Sequence, residues 1–74
     1  MPYATDGDLP ARIRHSLPAH AREIFRAAFN AAFESYGPSL RREEIAHRVA
    51  WAAVKKRYVK RGAAWVDRDT PTAH

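Results

Sequence analysis

Apolar residues recur along this chain at the three-and-four spacing of helices, in three runs punctuated by proline and glycine. Leu9 and Ile13 lie four apart, on one face of a short helix expected from Leu9 to about His15. Asp8 is its candidate cap, and Pro10 is tolerated in the first turn, where an N–H has no helical partner. Two turns do not hold alone in water, so this helix must dock. In the second run Ala21, Ile24, Phe25, Ala28, Phe29, Ala32 and Tyr36 follow the same spacing. Ser16 is expected to cap it, with Pro18 in the first turn, and Gly37-Pro38 to stop it after Tyr36. Ser39 is then expected to cap a third helix, from Leu40 to about Lys60, which ends at Gly62.

The third run is the widest. At 100° per residue Val49, Ala53, Ala46, Ala50, Val54, Tyr58 and Trp51 cover an apolar arc of about 200°, against roughly 100° for an ordinary surface helix. Such a helix is expected to be gripped on two sides, with Phe25 and Phe29 interlocked with Trp51. The short link at Gly37-Ser39 makes the second and third helices an antiparallel hairpin. After Gly62, the segment Ala63-Ala64-Trp65-Val66 is short and apolar, and Trp65 is expected to return beside Tyr3 in a minor two-stranded pairing of the N- and C-terminal segments. The expected fold is therefore all-α: a compact three-helix domain over residues 1–66, then a polar, frayed tail over 67–74.

Seventy-four residues allow one domain, and a chain this size buries only about 60% of its unfolded surface. Two Trp, three Phe and three Tyr are enough to seed one core. No cysteine is present, which removes thiol chemistry and fits a cytoplasmic setting. The start of the chain carries Asp6 and Asp8 where a signal peptide needs a basic start and an apolar run. The longest apolar run, Val49 to Val54, is far shorter than the ~20 residues of a membrane helix. Any action on a membrane protein is thus expected from the aqueous side.

Charge changes the picture further. The net charge is +5, and residues 41–61 hold eight basic residues against Glu43 and Glu44. Arg41, Arg48 and Lys55 are seven apart and line up opposite the apolar arc, with Lys56 nearby and Lys60 and Arg61 extending the series. One reading is solvation alone, with long stems covering apolar surface and Glu44 pairing with Arg48. The functional reading makes Arg41, Arg48, Lys55, Lys56, Lys60 and Arg61 a partner-binding face for an acidic protein surface or for nucleic-acid phosphates. An anionic membrane is a weaker partner, because the core needs the apolar face.

Other chemistry is thin. His15, His20, His47 and His74 form no i, i+4 pair, so no metal site is expected. Glu43 and Glu44 point about 100° apart, which suits helix-terminus electrostatics better than acid–base catalysis. Ser16, Ser35 and Ser39 read as caps or helix-end residues for which the sequence places no base, and three scattered glycines build no phosphate loop. An enzyme is not expected, nor any cofactor. Trp51 reads as a core anchor, with base stacking as the other possibility. His47, one turn before it, reads as a boundary histidine against the indole, or as a pH sensor.

The block Ala46-His47-Arg48-Val49-Ala50-Trp51-Ala52-Ala53-Val54-Lys55, with Tyr58 after it, resembles the signature of the ChaB family of small bacterial proteins. The opening Met1-Pro2-Tyr3, Asp8-Leu9-Pro10 and Leu17-Pro18-Ala19-His20-Ala21 are similar too, as are Ile24-Phe25, Ala28-Phe29-Asn30-Ala31-Ala32, Tyr36 and Arg42-Glu43-Glu44. The resemblance covers about residues 1–65. It implies a non-enzymatic regulator of cation transport, acting on a sodium, calcium or proton antiporter. Family members commonly carry a longer, polar loop between the second and third helices. This chain is short there, so the shared function is expected in the helices.

Overall fold

The computed structural model describes residues 3–37 and 41–68. Three helices, α1 (Ala11–Ser16), α2 (Ala19–Ser35) and α3 (Arg42–Arg57), are followed by a hairpin of β1 (Tyr58–Arg61) and β2 (Ala64–Asp67). The all-helical class expected from the spacing is the one observed. Phe25 of α2 meets Trp51 late in α3, while Phe33 late in α2 meets Arg42 at the start of α3, so the two helices run antiparallel.

The core is built at the α2–α3 seam. Ala21, Phe25, Phe29 and Ala32 face Ala46, Ala50 and Val54, and Leu9, Ile13 and Leu17 close one end. Ala21, Ala46 and Ala50 are fully buried, and their small side chains let the helix backbones approach closely. Tyr36, expected at the end of the second apolar stripe, is 51% exposed. Val49 is 38% exposed, so the third helix is not gripped around its full apolar arc. Its buried stripe is the single i, i+4, i+8 row Ala46, Ala50, Val54. So few residues supply too little chain to cover the Val49 side as well.

Helix ends differ from expectation in instructive ways. Asp8 does not cap α1: its carboxylate accepts from the Thr5 N–H (3.0 Å) and Thr5 Oγ1 (3.2 Å), closing a 3-10 turn at Asp6–Asp8. Ser16 is the last residue of α1, where its Oγ donates to the Arg12 carbonyl (2.7 Å), and Pro18 stands at the N-cap of α2. Gly37 has φ +57°, the left-handed stop that its sequence position suggested. Arg42 secures that exit, donating from Nη1 to the Gly37 carbonyl (2.7 Å) with its guanidinium 3.5 Å from the Phe33 ring centroid. The cap assigned to Ser39 lies outside the described residues.

The largest correction concerns the strands. α3 stops at Arg57 rather than Lys60, and Tyr58–Arg61 pairs with Ala64–Asp67 in antiparallel register, Lys60 opposite Trp65. The pairing is thus a hairpin within the C-terminal half, not one between the two termini. Gly62 takes φ +63° and, among the described residues, no non-glycine residue has positive φ, the pattern of a tight turn with glycine first. Trp65 consequently lands on Trp51 (5.5 Å between rings), while Tyr3 packs on Phe29 (4.9 Å). The ordered hairpin also runs past Val66. Asp67 ends β2, and Arg68 donates its backbone N–H to the Arg57 carbonyl (2.7 Å). Residues 69–74 of the expected tail lie outside the described residues.

Candidate functional site

α1, the last turns of α3 and the hairpin meet around an open groove of about 650 Å³. Trp51 and Trp65 lie in it as a tilted pair, neither fully buried. Phe25 supports Trp51 from below, edge to face at 5.2 Å. The Trp51 indole Nε1–H donates to His47 Nε2 at 2.9 Å, so the imidazole stands in the tautomer with a lone pair at Nε2. Arg12, Lys55 and Lys60 line the same groove, one each from α1, α3 and β1. A second depression of about 520 Å³ shares His47, Trp51 and Lys55 and adds Glu44, Arg48 and Ala52. Across the back of the hairpin's root, Tyr58 is buried and its hydroxyl lies 3.3 Å from His20 Nδ1. Burial pushes the Tyr58 phenol up from its ordinary value, Asp67 adds to this and Arg57 opposes it.

A family model described as ChaB matches residues 9–68, most of the chain. This chain belongs to the ChaB family. It is 48% identical over 66 residues to the Escherichia coli K12 protein named "Putative cation transport regulator ChaB", a match covering 81% of this chain and 87% of that one. The protein of the same name in Shigella flexneri matches at the same identity and coverage. A solution structure titled with that name is 44% identical, with TM-score 0.82, covering 92% of this chain and all of the other. The ChaB fold is therefore shared over nearly the whole length.

Within this ChaB fold the six expected partner-binding residues do not form one surface. Arg41 and Arg48 both reach the same carboxylate, each with Nη2 3.3 Å from Glu44 Oε1. Such exposed pairs contribute only about 0.2–1 kcal/mol, but they halve the positive field there. Lys55 sits where the two depressions meet, and Lys60 joins it from β1. Lys56 is exposed and lines neither depression. Arg61 alternates to the opposite side of the hairpin from Lys60, as successive strand residues must. The structure therefore brings Lys55 and Lys60 together in the groove, places Arg48 beside Lys55 in the adjoining depression, and leaves Arg41, Lys56 and Arg61 outside both. Among the described residues no group of three or more His, Cys, Asp or Glu is placed to hold a metal ion.

Sequence reasoning missed Arg12 and Trp65 as members of the site. Arg12 carries no periodic signal and arrives only because Leu9, Ile13 and Leu17 dock α1. Trp65 was legible in principle, since glycine between Tyr58-Val59 and Trp65-Val66 is a hairpin pattern.

The His47–Trp51 bond has a testable consequence. His47→Ala removes the acceptor of the indole N–H, and is expected to move the Trp51 indole N–H resonance and speed its solvent exchange. An unmoved Trp51 signal in the variant would show that the bond does not govern the indole.

Proposed function

We propose that this ChaB-family protein is a non-enzymatic adaptor that regulates a cation antiporter from the cytoplasmic side by presenting its basic surface to an acidic protein partner. The observation that carries this reading is the gathering of Arg12, Lys55 and Lys60 around partly exposed indoles, with no carboxylate among the described residues that line that groove. The name borne by its relatives supplies the transport setting. No helix among the described residues is long and apolar enough to cross a membrane, which suits contact with an aqueous face of the transporter. The reading needs no cofactor.

The test is cation–proton exchange in everted membrane vesicles carrying the antiporter, with purified protein added. Wild-type protein is expected to change the initial exchange rate. An Arg48→Ala/Lys55→Ala/Lys60→Ala variant, with helicity checked by circular dichroism, should lose most of that effect. Equal rates with wild type, variant and buffer would end the proposal.

A second reading is kept because aromatic rings beside cations also suit single-stranded nucleic acid. It predicts binding that falls steeply with salt, with a log–log slope of about −0.7 per phosphate neutralised on a single strand. A shallow slope removes it.

A further inference from the structure

Arg12, Lys55 and Lys60 come from three separate elements and converge on one groove. Among the described residues none of their side chains makes an ion pair or hydrogen bond, in contrast to Arg26, Arg41, Arg48 and Arg57. Like charges brought together without a counter-ion repel one another, and an anionic ligand relieves that repulsion. Besides the cations the groove is lined by the Trp51–Trp65 pair with Pro10 and Ile13, and by the polar side chains of Ser16 and His47. A complementary ligand is therefore apolar at its centre and anionic at its edges. The volume, about 650 Å³, suits one large side chain with its flanking residues.

We propose that this groove binds an acidic linear peptide segment of the regulated partner. One aromatic or aliphatic side chain lies against Trp51 and Trp65, and flanking carboxylates meet Arg12, Lys55 and Lys60. This deepens the adaptor reading above and rests on it. A peptide fits better than a nucleic-acid strand because the cations do not continue as a track. In the adjoining depression the charge of Arg48 is shared with Glu44 and Arg41, and Arg61 faces the other side of the hairpin. A strand of phosphates needs repeated cationic contacts along its length.

The test uses the full chain, ¹⁵N-labelled, titrated with the peptide Glu-Asp-Phe-Glu-Asp. The comparison probes are its uncharged counterpart Gln-Asn-Phe-Gln-Asn, the anchorless Glu-Asp-Gly-Glu-Asp, and a short oligothymidylate. Saturable shifts of both indole N–H signals, with Kd below about 1 mM, are expected for the first peptide. Binding about tenfold weaker is expected for the two altered peptides and for an Arg12→Ala/Lys60→Ala variant, both sites being exposed. Absence of saturable shifts, equal binding of the uncharged or anchorless peptide, or tighter binding of the oligothymidylate would each overturn the proposal. The vesicle assay separates this from the adaptor reading. If wild type and Arg12→Ala/Lys60→Ala alter exchange equally, the groove falls and the adaptor stands. If the peptide binds as expected but wild type leaves exchange unchanged, the groove stands and the antiporter reading falls.

Discussion

Phe25→Ala is expected to destabilise the domain by about 3–5 kcal/mol, enough to remove most or all of its folding free energy. Phe25 is 0% exposed and lies where every part of the core meets. Its ring touches Trp51 (5.2 Å), His47 (5.7 Å) and Phe29 (6.1 Å), so one truncation opens a cavity under both helices of the hairpin and under the groove. A 74-residue chain has little surplus burial with which to collapse around that void. Circular dichroism against temperature should show a broad or absent transition for the variant. Tyr36→Ala, at a side chain 51% exposed, should stay within about 0.5 kcal/mol of the parent. A cooperative Phe25→Ala transition close to that of the parent would mean that the seam is packed by other residues.

Asn30→Ala is expected to cost about 1–3 kcal/mol and to release the start of the chain. Asn30 is the buried polar residue of the core, and it is bonded like a strand partner. Its Oδ1 accepts from the Tyr3 N–H (3.2 Å) and its Nδ2 donates to the Tyr3 carbonyl (2.8 Å). Arg26 reinforces the same tether, with Nε donating to Asp6 Oδ1 at 2.7 Å and Nη1 to the Ala4 carbonyl at 3.2 Å. Removing the amide leaves two backbone groups of Tyr3 without those partners beside the Phe29 ring. Urea unfolding should show the loss in midpoint, and amide exchange at Tyr3 to Thr5 should rise. Asn30→Asp keeps the acceptor but turns a carboxylate oxygen toward the Tyr3 carbonyl at a buried position, so a loss at least as large is expected there. If all three proteins unfold at one midpoint, the tether does not contribute to stability.

These two residues also mark the limits of reading the chain by pattern. Phe25 was placed correctly from its spacing, and its contact with Trp51 followed from the antiparallel hairpin. Asn30 stands outside the apolar spacing of the second run, and nothing local says that a buried amide will pair with a backbone twenty-seven residues earlier. The same holds for the groove. The series Arg41, Arg48 and Lys55 is visible as a seven-residue repeat, yet Glu44 draws two of its members together and only Lys55 lines the groove that holds both indoles.

Periodicity and the Gly37 stop are local, and they determined three helices, their order and the antiparallel seam. Family membership was legible for the same reason, since the resemblance rests on contiguous segments, among them Ala46 to Lys55 within α3. What the tertiary structure alone decided is non-local. Tyr58 to Arg61 continues a helical stripe in sequence, but pairing with Ala64 to Asp67 closes a ladder and seats Trp65 on Trp51, and that packing outweighs weak local helix preference. Docking of α1 then brings Arg12 to Lys55 and Lys60. Charge convergence of this kind depends on how three elements pack, and no spacing within any one of them encodes it.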